Sequence, residues 1–537
     1  MPWIDIVILI TYIVGIVGVG LWVAKKRTMN VEGYFLANHS LKWPVIGAAL
    51  FASNISTVHL VGLAASGFSD GMVWGNFEWM AVFMLIILGL IFAPFYHKNK
   101  ISTLPEFIEK RYNSLARSCL AFLGLMGALF MHIGVSLYAG AIVFEHLFGV
   151  NVYVSILLIS SLTALYTIVG GLQSVVITET IQTVILIGGA IVLTIYAIIE
   201  LPSHGIHSLS MLQSKLKPDQ LSVIPSSSNT SGLTGPSILL GYPVLGIWYW
   251  CADQTIVQRV LGAKTLNDAK IGPLFAGVLK ILPVLIFVLP GVLAYPLYKH
   301  LISDPNDTFP VLVTQLLPVG LKGLMVAALL AALMSTIAAA LNSAATLVSI
   351  DIVKRNNPHI SEKKQINIGR ITAVIVMIIA ISWSPLISKF TSIFEAINVL
   401  LTVISPPITT VFIWGVFWKR GNYQGAIAAF IGGFILGFLV FMIDFPIIGD
   451  VKILTVSYGI PFMMQAWWLF VFSSVIYVIV SLITPPPDYR KTEKFTLKSP
   501  LAFLKREDEE QKNIPLLVSL ILIIIMVLLY TISNFIT

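Results

Sequence analysis

The stretch Phe51-Ala52-Ser53-Asn54-Ile55-Ser56-Thr57-Val58-His59 sets five polar side chains, Ser53, Asn54, Ser56, Thr57 and His59, within seven residues. It lies in the middle of an apolar block running from about residue 40 to 66. A regular helix keeps its carbonyls bonded to its own amides. A helix loosened at this point frees backbone oxygens, and such breaks are tolerated at membrane depth only where they line a cavity or hold an ion. Single Ser and Asn residues also serve as packing contacts between helices, so for each residue alone both roles stay open. Five together favour a site.

Around this block the chain is of one kind throughout. Of 537 residues, 57% belong to the hydrophobic set and 11% are charged, against roughly 25% charge in soluble domains. The apolar residues come in long runs rather than amphipathic stripes, which excludes a soluble enzyme and describes one polytopic membrane domain, residues 1–537. At about 1.5 Å rise per residue, ~20 residues cross the roughly 30 Å hydrocarbon layer. Fourteen blocks are predicted to span: 3–24, 40–66, 73–96, 118–147, 151–170, 175–200, 237–261, 271–298, 321–353, 368–388, 391–418, 424–443, 458–484 and 513–535.

The charges give an independent test of that count. If the first block is a signal anchor followed by Lys25, Lys26 and Arg27, its amino terminus faces out and even-numbered crossings return there. The connections on the inner side then hold all of the 33 Lys and Arg residues except Lys215, Lys217, Lys299, Lys322, Lys389 and Lys452 outside and Lys280 within the membrane. This imbalance supports fourteen helices with both termini outside in a plasma (inner) membrane. It also accounts for the net charge of +8 as a topological signal rather than a nucleic-acid surface. Residues 201–236 form the long outer loop and 485–512 the long inner segment. Cys119 and Cys251 fall where no disulfide framework is expected, so both are read as free thiols.

The sequence has no Walker loop, HExxH, Cys-x-x-Cys or nucleophile elbow, so neither catalysis nor nucleotide-driven pumping is expected, and no organic cofactor. It has instead polar groups at membrane depth, which are functional candidates by default. Glu78 stands in Gly75-Asn76-Phe77-Glu78-Trp79, and Lys280 in Gly277-Val278-Leu279-Lys280-Ile281-Leu282-Pro283. Each charge costs about 2.5–3.5 kcal/mol near mid-membrane on insertion scales. Glu78 is close enough to its block's start for snorkelling to remain an alternative, whereas Lys280 is deep. A carboxylate accepts and an ammonium donates, so the two can hold a polyhydroxylated solute from both sides. In Gly246-Ile247-Trp248-Tyr249-Trp250-Cys251-Ala252-Asp253-Gln254, the rings suit either plain core, favoured for Trp248, or a wall for a sugar ring, favoured for Tyr249 and Trp250. Ser335 and Thr336 are adjacent hydroxyls in an aliphatic helix, where back-bonding to an earlier carbonyl is the commonest role.

These residues carry a resemblance. Tyr34-Phe35-Leu36-Ala37, Phe51-Ala52-Ser53-Asn54-Ile55, Phe77-Glu78-Trp79, Ala164 to Leu172, Trp248 to Gln254 with Val257-Gln258-Arg259, Leu341-Asn342-Ser343 and Phe417-Trp418-Lys419-Arg420 occur in order over roughly residues 30–425. The chain thereby resembles the solute:sodium symporter family, in particular its sodium/glucose, sodium/galactose and sodium/myo-inositol cotransporters. The resemblance implies an all-α, leucine-transporter-like fold of 5+5 inverted repeats, residues 40–200 and 237–418. One extra helix and a loop (1–39) precede the repeats, an outer loop (201–236) separates them, and three extra helices (419–537) follow. The two interrupted segments, one opening each half, fit such a fold.

The resemblance also implies a sodium site formed by carbonyls of Ala52, Ile55 and Ala332 with the hydroxyls of Ser335 and Thr336. Such a neutral oxygen cage suits a hard monovalent ion that must also leave. Glu179, where the family usually has Asp, is implied to lie on the inner sodium path. The solute pocket is implied to comprise Asn54, His59, Glu78, Tyr249, Trp250, Lys280 and Asn398, with Leu63, Phe77 and Phe394 as an outer lid and Tyr249 as inner gate. Sugar-carrying relatives typically have Gln at the position of Asn398, and the galactose-type bacterial pocket has polar side chains at those of Ala81 and Gly246. Relatives with a second sodium have hydroxyls where this chain has Ala338 and Ala339, which implies one sodium per solute. The expected function is sodium-coupled uptake of a neutral sugar or polyol across a lipid bilayer by alternating access. The alternatives are a sodium-coupled carrier of a carboxylate or amino acid, and an uncoupled channel or sensor on the same fold.

Overall fold

A computed structural model describes residues 2–26, 30–224, 232–389, 393–444, 453–497 and 513–535, with side chains omitted for 26, 388–400 and 534–535 as well. Among these residues the chain is helical, with only an isolated bridge between Leu41 and Ala263 as β-structure. Ten helices are long and apolar enough to cross a membrane, or eleven when the bent pair Trp43–Asn54 and Val58–Ser69 is taken as one span. That differs from the predicted fourteen at three places. Blocks five and six form one element, Val152–Glu200, which is not helical at Gly171. Blocks seven and eleven contribute the shorter apolar helices Ser237–Ala252 and Leu401–Phe417.

Gly171 explains the first difference. Its φ of 61° is a left-handed conformation that a side chain disfavours, and a Cβ there would lie 2.5 Å from the Tyr34 carbonyl oxygen. The turn is held by the Tyr34 hydroxyl, which donates to the Ile168 carbonyl at 2.8 Å.

The helix Leu321–Thr346 is the centre of the molecule, buried from Met325 to Thr346. Ala327, Ala328, Ala331, Ala332, Ala338, Ala339 and Ala340 make it thin, which lets neighbouring backbones approach closely where apolar lipid supplies no hydrophobic drive. Its amino terminus is capped from far away in the chain. One Asp5 carboxylate oxygen accepts from the amides of Gly320 and Gly323, both at 2.7 Å, where a helix start favours negative charge. The helix Trp3–Lys26 is thus tied to the core by a buried carboxylate that the sequence reading passed over.

Close packing of backbones recurs where Leu63–Ser69 meets Leu289–Tyr298. A Cβ on Gly291 would lie 2.0 Å from the Ala64 carbonyl oxygen, and one on Gly67 2.3 Å from that of Val288. Backbone cannot swing aside as a side chain can. Gly291→Ala is therefore expected to destabilise by at least about 1–3 kcal/mol, the usual cost of overpacking. A thermal unfolding midpoint equal to the parent's in purified protein would contradict this.

On the side of the short helix Leu104–Arg111, polar groups bind the helix ends together. Arg111 donates to the carbonyls of Gly415, Trp418 and Gly421 at 2.7, 2.9 and 3.0 Å, satisfying the end of Ile393–Phe417. Arg117 bonds Asp351 at 2.8 Å and also Glu109.

Candidate functional site

Both expected breaks are present. The helix Trp43–Asn54 ends at Ile55, whose φ and ψ are −74° and 107°, and the chain resumes after a bend of 63°. The π-helical turn Trp248–Ala252 ends at Asp253, at −89° and 121°, before Gln254–Leu261 begins. At the first break the carbonyls of Ala52 and Ser53 accept from side chains of the central helix. Ser335 Oγ donates to Ala52 O at 2.7 Å and lies 3.0 Å from Ala332 O. Thr336 Oγ1 lies 3.3 Å from Ser53 O and 3.1 Å from Ala332 O. The back-bonding expected of such hydroxyls is present, and each also reaches across to the broken helix. The geometry adds Ser53's carbonyl to those of Ala52 and Ala332 around the two hydroxyls.

The five polar residues of the first break divide by role. Ser53 Oγ back-bonds to Ala49 O at 2.7 Å, while Thr57 is buried with an unpartnered hydroxyl. Asn54, Ser56 and His59 line a cavity of about 130 Å³. The Ser56 amide donates to His59 Nδ1 at 3.2 Å, which leaves the Nε2 hydrogen facing Glu78, with Nε2 3.7 Å from Oε1.

Glu78 and Lys280 meet in the same wall, buried at 2% and 1% exposure, so the snorkelling alternative for Glu78 fails. Each suits its own helix end. Glu78 stands in the first turn of Asn76–Ile87, and Lys280 follows the last residue of Leu266–Leu279, so the peptide dipoles favour both charges. The Lys280 ammonium donates to Glu78 Oε2 and, at 2.6 Å, to Asn54 Oδ1. Asn54 Nδ2 in turn donates to the Tyr249 hydroxyl at 3.0 Å. Lys280 Nζ lies 5.6 Å from the Trp250 ring centroid, within cation–π range.

Leu63 and Phe77 line the same cavity with Asn54, His59, Glu78, Tyr249, Trp250 and Lys280. Phe77 stacks between Trp74 and Phe462, with centroids 5.6 and 6.3 Å away. Trp248 does not line this cavity, consistent with a packing role. Gly246 does, but Ala81 does not. Asn398 and Phe394 lie outside the residues whose side chains are described. Glu179 is elsewhere, fully buried and paired through both oxygens with Arg259, at 2.5 and 3.3 Å.

A family model for the sodium:solute symporter family matches residues 34–433, well over half the chain. This chain belongs to that family. The symporter is 34% identical over 528 residues to sodium/glucose cotransporter 1 of Oryctolagus cuniculus, covering 90% of this chain and 80% of the relative. It is 34% identical over 562 residues to the human sodium/myo-inositol cotransporter, covering 95% and 77%. Its fold matches a Na+-coupled sialic acid symporter in a substrate-bound outward-open state with a TM-score of 0.77 at 21% identity, covering 90% and 99%. The symporter is accordingly a multi-pass membrane transporter and not an enzyme.

The sequence reading missed two groups in this symporter. His132 lines the cavity and lies 2.7 Å, through Nε2, from Asp253 Oδ2. Arg259 was read only as part of a motif, yet it neutralises Glu179. A histidine in the middle of the fourth apolar block is the same signal that singled out Glu78 and Lys280, so His132 was within reach.

Proposed function

We propose that this protein is a secondary active symporter coupling inward sodium movement to uptake of a neutral sugar or polyol, a hexose or myo-inositol, by alternating access. The observation that carries the reading is that Asn54 joins both halves of the site. Its backbone belongs to the break beside Ser335 and Thr336, and its side chain bridges Lys280 and Tyr249 in the cavity wall. An ion ordering the break thereby orders the solute's hydrogen-bonding partners. The names of the relatives, sodium/glucose and sodium/myo-inositol cotransporters, support the same solute class.

In this reading sodium sits among the oxygens of Ala52, Ile55, Ala332, Ser335 and Thr336, a set without formal charge. The solute's hydroxyls take over partners that Glu78, Lys280, Asn54 and His59 now supply to one another, with Asn398 completing the pocket. Leu63, Phe77 and Phe394 close above, and Tyr249 closes below. Glu179 meets a departing sodium only when its pair with Arg259 opens. The fourteen-helix arrangement follows if Val152–Glu200 counts as two crossings divided at Gly171 and if the segments holding Ser237–Ala252 and Leu401–Phe417 each cross. The inverted repeats are then residues 40–200 and 237–418, and both termini face outward. Ala338 and Ala339 support one sodium per solute. One sodium moving down about 100 mV and a tenfold gradient releases roughly 2.3 plus 1.4 kcal/mol, enough for several-hundred-fold accumulation.

The test is uptake of labelled glucose, galactose and myo-inositol into proteoliposomes with an inward sodium gradient, and with potassium in its place. Accumulation of one of them only with sodium is expected. Equal uptake in potassium would overturn coupling, and sodium-driven uptake of a carboxylate or amino acid instead would overturn the solute class.

A further inference from the structure

A second, smaller cavity, about 10 Å³, lies beyond the first. Two helices cross both in the same spatial order. Along Ser114–Phe148, Gly127 lines the second cavity and His132 and Ser136 the first. Along the broken segment after Ser237, Gly246, Tyr249 and Trp250 line the first, and Trp248, Asp253 and Gln254 the second. Leu104, just past the far end of the span that begins near Phe77, also lines the second, so the two cavities are displaced along the axes of these helices.

The partition between them is polar. His132 belongs to the wall of one cavity and Asp253 to that of the other, and they meet at 2.7 Å with exposures of 7% and 5%. Asp253 is anchored as well: its Oδ1 accepts from the Thr255 amide at 2.9 Å, capping Gln254–Leu261. His132 sits in the π-helical segment Gly127–Val135, its ring 5.9 Å from that of Tyr249. Below them Gln254 accepts from the Leu104 amide at 2.9 Å, while its Nε2, in a side chain only 3% exposed, is buried with no partner. A buried unpartnered amide costs free energy that a passing hydroxyl would recover.

We propose that the His132–Asp253 pair is the latch between the two cavities, and that Asp253 and Gln254 are the polar groups a hydroxylated solute meets on leaving the first, the second cavity, room for about one water, widening to admit it. This rests on reading the first cavity as the solute site. A solute hydroxyl can donate to Asp253 in place of His132 and accept from Gln254 Nε2, so the latch opens without stranding a buried carboxylate. An apolar solute could do neither.

The test reads the latch without any solute. In full-length protein bearing Cys119→Ser and Cys251→Ala, Gly127→Cys places a thiol in the second cavity, where a Cβ meets nothing closer than Trp248 at 4.0 Å. The rate of maleimide labelling in detergent micelles is then measured with and without Asp253→Asn, which preserves the helix cap. The expected result is labelling faster by at least about tenfold, in line with losing a charge-assisted hydrogen bond, with no further gain when His132→Gln is added. His132→Gln alone serves if Asp253→Asn does not fold. Rates within about twofold of the parent in monodisperse variants would overturn the latch, because a hydrogen bond that closes the route cannot be lost without effect. If labelling rises as expected but the parent shows no sodium-driven uptake, the latch stands and the functional reading fails, so the two are separable.

Discussion

Ser335→Ala is expected to raise the sodium concentration for half-maximal uptake by at least about tenfold, equivalent to about 1.4 kcal/mol, and to abolish accumulation at ordinary gradients. The reason is local. Ser335 Oγ touches both Ala52 O and Ala332 O, so it stands where the broken helix and the central helix face each other across the oxygens. Removing it deletes one oxygen from a set that has no carboxylate to compensate, and unties the break from the central helix. Ser335→Thr retains an oxygen at the same position and is expected to keep most of the affinity. Flux measured against sodium concentration for the three proteins decides the matter. A folded alanine variant with the parent's sodium dependence would place the ion elsewhere.

Lys280→Met is expected to abolish uptake and to destabilise the protein by about 3–5 kcal/mol, because it leaves the Glu78 carboxylate buried without its cation. The two effects separate in the double variant Lys280→Met with Glu78→Gln. With neither charge present, the desolvation penalty disappears and the thermal midpoint should return toward the parent's, whereas uptake should not. Lys280 also donates to Asn54, so its loss frees the side chain that holds Tyr249 in place. If the double variant transports at the parent's rate, the pair is only structural and the solute is held by other groups. If the single variant melts with the parent, Glu78 has taken up a proton or water in place of the ammonium and the pair adds nothing to stability.

Much of the site was legible because a membrane makes polarity conspicuous. Glu78, Lys280 and the cluster around Asn54 each stand out in an apolar run, and the structure brings all three to one wall. The breaks were legible too, since polar residues crowd at Asn54 and at Asp253. Their partners were not. Asn54 and Lys280 are 226 positions apart and Glu179 and Arg259 are 80 apart, and no local periodicity encodes which helices meet. Glu179 illustrates the limit: the resemblance implies a place on the sodium path, but nothing local in the sequence shows that in the fold it pairs with Arg259.

Composition and block length alone determined the class of the molecule, because few charges and long apolar runs have one stable environment, the bilayer. The residue types at the breaks determined where helices could not continue. Only the tertiary structure decided that Tyr249 and Trp250 line the larger cavity while Trp248 faces the smaller one, that Asp5 caps a helix more than 300 residues away, and that His132 faces Asp253. The physical reason is common to all three. A helix presents every side chain at a fixed angle, but which face meets which neighbour depends on backbone approach distances set by small residues on other helices.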